Sequence, residues 1–296
     1  VNRPAPAPPA SYQDWGVGGA DGQAGSNTLG TRLAHWVCSI HLKVEPMKTL
    51  LKSALPLVAA AFLIACGGSD DNFDDRADVA DPKVRFIHAV PLGPTLTLSR
   101  NDIARPEASD TSYKFASRYF DVETGQATWP VRSGSARLDE ATFDARRGNK
   151  YTIVALPGSS GVELLLIDDP YSKGITSNDA RVRVVNASLN AQSVDVYLTA
   201  ANADIAVTGP TLGAVAYQTA QPASGNDSAQ LEGGDYRLRI TAAGSKAVIF
   251  DAAVVLARNA DWLLLTIPAG VTPGDVNVLL VQSDIDTQTA VEIPGR

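Results

Sequence analysis

The sequence predicts an all-β fold: two tandem antiparallel β-sandwich domains of immunoglobulin-like type, preceded by a signal peptide and a disordered tether. Three observations predict it. From residue 83 onward, short apolar or alternating runs are broken about every ten residues by Gly, Pro, Asn or Asp. No stretch with helical periodicity competes with them. The pattern also returns, since VRFIHA at 84–89 comes back as VRVVNA at 182–187, an offset of 98 residues.

The first element, residues 1–46, is rich in Pro, Gly and Ala and has no periodicity, so it reads as a non-native upstream extension, with translation beginning at Met47. Residues 47–65 have the layout of a secretory signal: Lys48 and Lys52 lead into the uncharged run Ala54–Ala65, interrupted by Pro56. Twelve residues rise about 18 Å as a helix, short of the roughly 30 Å hydrocarbon layer. That excludes a permanent span. The run ends in Leu63-Ile64-Ala65-Cys66, which resembles the bacterial lipobox. By that resemblance, cleavage falls between Ala65 and Cys66, and the Cys66 sulfur carries lipid. Two or three acyl chains make such attachment persistent, where one would not. Gly67 following the cysteine resembles the pattern sent onward to the outer membrane. Residues 66–82 then read as an acidic flexible tether, kept unfolded by like charge and low hydrophobicity. Their aspartates lack the spacing of a calcium loop.

The first sandwich is expected over 83–170, a linker over 171–179, the second sandwich over 180–284 and a tail over 285–296. The repeat supports these bounds: NKYTIVALP pairs with ADWLLLTIP, and VELLLID (162–168) with VNVLLVQ (276–282). In DYRLRI, Tyr236, Leu238 and Ile240 face one way and Arg237 and Arg239 the other, as a strand with one wet face requires. Ala127, Trp129 and Val131 form the matching inward set of the first copy, and Pro130 marks an edge or a bulge. The continuous runs WLLLTI and VNVLLV predict strands covered on both faces. On these residues, above all VRVVNASLNAQSVDVYL, the chain resembles the DUF4397 family, a bacterial domain of unknown function with a β-sandwich fold, often found in secreted or lipid-anchored proteins. The resemblance extends over both copies. His88-Ala89-Val90-Pro91 and Asn186-Ala187-Ser188-Leu189 stand where the family carries a His-Ala-Ser-Pro-type turn.

Composition narrows the chemistry. With 25 basic against 32 acidic residues and no basic cluster, a nucleic-acid surface is excluded. Of two cysteines and three histidines, only Cys66 and His88 remain from residue 66 onward. No Cys-His pair, two-histidine metal site or thiol zinc site can then be built, and no cofactor or metal is expected. No nucleophile elbow or phosphate loop occurs there, and PGSSG at 157–161 reads as a turn. Asp168-Asp169 and Asp284-x-Asp286 are expected in solvated loops. The candidate binding residues are His88, Asn186, Tyr119, Tyr217 and Tyr197, the tyrosines as strand-face aromatics with Tyr119 and Tyr217 ending matching runs. The expected protein is a non-enzymatic, lipid-anchored envelope protein, facing the periplasm or the cell surface, acting as a binding or structural module. Its expected partner is an envelope protein or polysaccharide. The alternatives are a carboxylate-based hydrolase of envelope polysaccharide and a subunit of a larger envelope assembly.

Overall fold

In the computed structural model residues 73–77, 79–159, 161–283 and 290–295 are described. The upstream extension, the signal, the lipobox and Cys66 lie outside the described residues, as do Asp284 and Asp286. Everything described falls in one unit, Ala60–Arg296.

A helical turn, α1 (Phe73–Arg76), comes first. The first sandwich follows as β1 (Lys83–His88), β2 (Thr97–Arg100), β3 (Ile103–Ala104), β4 (Phe120–Asp121), β5 (Gly125–Ser133), β6 (Ala136–Ala145), β7 (Lys150–Gly158) and β8 (Gly161–Asp169). The second comprises β9 (Ala180–Asn186), β10 (Ser193–Thr199), β11 (Leu212–Ala216), β12 (Ala220–Gln221), β13 (Ala229–Leu231), β14 (Gly234–Ala242), β15 (Val248–Leu256), β16 (Asp261–Pro268), β17 (Val276–Gln282) and β18 (Val291–Ile293). Each sandwich has an outer sheet, β3-β2-β5-β6 or β11-β10-β14-β15. Each also has an inner sheet, β4-β1-β7-β8 or β12-β9-β16-β17-β18, with β13 also paired to β9. The all-β expectation holds. Its antiparallel part needs one amendment per sandwich, because β7 lies parallel to β1 and β16 parallel to β9.

Alternation decides the layers. Val84 and Phe86 of β1 pack with Trp129, Val131, Tyr151 and Ile153 in the core of the first sandwich, while Val182, Val184, Leu238, Ile240 and Leu264 do the same in the second. Between those residues, the opposite faces of the inner sheets meet each other. Ile87, Val154, Leu156 and Ile167 pack against Val185, Leu263, Leu265, Ile267, Leu279 and Val281 in a third core. WLLLTI and VNVLLV are therefore apolar on both faces, apart from Thr266 and Asn277, because one sandwich covers the other. Each buried aliphatic side chain contributes about 1.5–3 kcal/mol. Pro130 sits in β5 between β2 and β6, next to a register shift at Val131/Arg132, so the bulge is what accommodates it.

Three segments expected to be loose are engaged. Arg76 donates to the carbonyls of Ile175 (2.6 Å) and Ser177 (3.1 Å) and to Asn259 Oδ1, and Arg147 lies 3.6 Å from Asp81. The self-repulsion expected of 67–82 does not govern this last part, where Arg76 and Asp81 have partners. In the expected linker, Tyr171 and Lys173 are buried. In the expected tail, β18 pairs with β17, and Lys114 reaches Glu292 at 2.5 Å.

Candidate functional site

A cavity of about 630 Å³ opens on one side of the first sandwich, between the short edge strands β3 and β4. Asp81, Arg100, Ile103, Arg105, Asp121 and Glu123 line it, together with Val122 and Thr124. Its wall is a rigid hairpin. Asn101 and Asp102 both have positive φ (49° and 66°), the conformation a two-residue turn between twisted strands requires. Asn101 N donates to Thr128 O (2.8 Å), Thr128 N donates to Asn101 Oδ1 (3.0 Å), and Arg132 holds Asp102 at 2.7 Å. That hydrogen bond keeps the Asp102 carboxyl below its ordinary pKa.

The two arginines are fixed as well. Arg100 donates to the Glu123 carboxylate (2.9 Å) and backbone carbonyl (3.1 Å), with its guanidinium 6.0 Å from the centre of the Trp129 ring. Arg105 reaches Glu107 at 3.2 Å and lies 5.0 Å from the Phe120 ring centre. The acids remain open to solvent beside their arginine partners: the Glu123 side chain is 88% exposed and that of Asp81 61%. Ile103 adds an exposed apolar surface. A cleft of this size, with held donors and exposed acceptors, suits recognition of a hydrogen-bonding ligand. Among the described residues, no imidazole or thiol lines it.

The residues predicted to bind lie elsewhere. His88 is fully buried at the end of β1, where Nε2 donates to Pro94 O (3.0 Å) and Nδ1 accepts from Val90 N (3.3 Å). Burial lowers its pKa. Asn186 is its counterpart: Nδ2 donates to Ala191 O (2.8 Å) and Val215 O (3.1 Å), while Oδ1 accepts from Thr266 (2.7 Å) and Ser188 N (3.2 Å). Both close a strand end onto backbone. Tyr197 is buried rather than displayed, with Lys246 3.1 Å from its hydroxyl, because the outer sheet is covered on that face by loops. Tyr217 donates to Pro157 O (2.7 Å) across the sandwiches. Its structural match is Tyr113 and not Tyr119: Lys114 N bonds His88 O as Gln218 N bonds Asn186 O, and both residues have positive φ. Tyr119 instead lies under Arg85, 4.4 Å from its ring centre, with its hydroxyl 3.1 Å from Thr152.

A second polar cluster joins the inner sheets. Asp169, expected in a solvated loop, is buried at the end of β8 and accepts from Arg181 (2.6 Å), Ser228 (2.7 Å) and Tyr171 N (3.0 Å). Its burial opposes ionisation, but Arg181 and Arg183 prevail and its pKa is lowered. Asp261 lies between Lys150 (3.3 Å) and Arg181 (3.4 Å). Sequence reasoning missed this cluster, yet it left a signal. Arg85, Arg181 and Arg183 are charges inside strands that are otherwise apolar, and such charges need buried partners. Among the described residues, no group of three or more His, Cys, Asp or Glu is placed to hold a metal ion, and no helix is long and apolar enough to cross a membrane.

Residues 82–197 match the family described as DUF4397, a domain of unknown function, so a DUF4397 domain is found there. The match takes in the whole first sandwich and, from the second, β9 and most of β10. No curated relative matches the chain. Among solved structures, the chain is similar to one titled for alpha-glucan recognition by family 41 carbohydrate-binding modules from streptococcal virulence factors. The two share 10% identity over 62% of this chain and 94% of that one, with a TM-score of 0.21. A likeness of that size carries no argument about fold or function.

Proposed function

We propose that the chain is a lipid-anchored envelope protein, attached through Cys66, that binds an envelope polysaccharide or protein partner without turning it over. Its two sandwiches are read as tandem copies of one repeat, a reading supported by their common strand order and by the recurrence of VRFIHA as VRVVNA. The observation that carries the binding reading is the open-sided cleft of about 630 Å³, with its fixed arginines and exposed acids. Against the hydrolase, a general acid needs a raised carboxyl pKa. Among the described residues, the carboxyls that are clearly shifted, Asp102, Glu163, Asp169 and Glu292, are all lowered.

Two measurements test this. Cys66→Ala is expected to lose acyl label and leave the detergent phase; unchanged partitioning defeats the anchoring. For binding, solubilised envelope polysaccharide is titrated calorimetrically into wild type and into Thr124→Trp, which fills the cleft. Saturable heat lost in the variant, with no release of reducing ends, is the expected result. Release of reducing ends that stops on Asp121→Asn or Glu123→Gln would establish the hydrolase instead.

A further inference from the structure

We infer that a small cavity between the two inner sheets is a binding site for one halide-sized monovalent anion, held between Arg85 and Arg183. The cavity is about 20 Å³, and one water needs roughly 10–15 Å³. A single small occupant fits, and sulfate or phosphate does not. Both sandwiches line it, the first with Arg85, Tyr119 and Thr152, the second with Arg183, Ser228 and Asp261.

Arg85 and Arg183 occupy equivalent places in β1 and β9 and are 5% and 3% exposed, so two buried guanidinium groups face one cavity. Their compensation differs. Arg183 has Asp169 at 3.4 Å and donates to the carbonyls of Ala223 (3.1 Å) and Asn226 (2.5 Å). Arg85 donates only to hydroxyls: Thr152 at 3.3 and 3.1 Å and Ser283 at 3.4 Å, with the Tyr119 ring beneath it. Among the described residues, no carboxylate comes within ion-pair distance of Arg85.

The two carboxylates on the cavity wall are already engaged. Asp169 is held by Arg181 and Ser228, and Asp261 by Lys150 and Arg181. Among the described residues, the Arg85 charge is left without a carboxylate at ion-pair distance, and a buried charge without a counter-charge is strongly disfavoured. A halide in the cavity supplies that counter-charge and bridges the two sandwiches where their like charges would otherwise repel.

The test uses the purified chain crystallised from sodium bromide. An anomalous bromide peak between Arg85 and Arg183 is expected, and density there that fits water alone overturns the inference. In parallel, thermal unfolding is followed in chloride against gluconate at constant ionic strength. A ligand that binds only the folded state raises the midpoint saturably, here by several degrees. Arg85→Gln is expected to abolish that rise, whereas the surface control Arg237→Gln keeps it. A midpoint indifferent to halide, or an Arg85→Gln protein that still responds, contradicts the site. If Arg85→Gln does not fold, the wild-type bromide map decides.

Discussion

In the first sandwich, β3 and β4 are two residues long and leave the side between the sheets open. In the second, the five-residue β11 packs against β9 and β12 and closes that side. The other free edges differ too. β17 is covered by β18, whereas the β8 edge is held by single groups, with Asp139 accepting from Leu164 N (2.7 Å) and Ser224 from Asp168 N (2.9 Å). One strand order thus supports two surfaces. The inner sheets fuse the sandwiches through apolar contacts on both faces, which leaves the outer edges free to vary. A cleft can open on one sandwich while the other stays filled.

The largest expected effect lies where the two sandwiches meet. Asp169→Ala takes from Arg181 its 2.6 Å partner and leaves it Asp261 at 3.4 Å, and breaking a buried pair from one side costs about 3–5 kcal/mol, measured by denaturant unfolding. The same residue sets an acid limit. Its folded pKa is lowered, so the unfolded chain binds the proton more tightly. The stabilisation is present above the ordinary carboxylate value, about 3.9, and is lost as pH falls through the folded value. Asp169→Asn should flatten stability against pH in that acidic window; an unchanged slope contradicts the assignment.

Next, Leu265→Ala removes a side chain from the core the sandwiches share, for about 2–5 kcal/mol. One cooperative transition is expected in both wild type and variant, whereas separate transitions would show two independent domains. The His88 and Asn186 pair gives a smaller, graded contrast. Stranding their buried partners costs about 1–3 kcal/mol, and Asn186→Ala should cost more than His88→Ala, because Asn186 makes four hydrogen bonds to two for His88. Equal losses would break that reading. Smallest is a stop after Ser283, which removes β18. A modest drop in melting temperature is expected, with new self-association through the exposed β17 edge.

Much of the fold was legible because period-two alternation is a local property. DYRLRI declares which way each side chain points without any knowledge of the rest, although Arg239, expected on a wet face, is buried. WLLLTI declared that it was covered twice, but not by what, since the covering face comes from the other sandwich. The cleft was not legible. Arg100, Arg105, Asp121 and Glu123 lie on segments that look like ordinary polar loops, and only the brevity of β3 and β4 leaves space between them. Tyr197 misled for the same reason: alternation tells which face a side chain takes, while loops folding over that face decide whether it meets water. Asp169 shows the converse, an acid at a strand end drawn inside by arginines from the next sandwich.

The most direct test of the account places a photo-crosslinking side chain at Ile103, in the cleft, and separately at Val207, also exposed, in the loop leading to β11 of the closed sandwich. After illumination of intact cells, a discrete adduct at Ile103 that Thr124→Trp abolishes, with none at Val207, is the predicted result. Equal labelling at both positions, or labelling at Ile103 indifferent to filling the cleft, would contradict the claim that the open side is where this protein holds its partner.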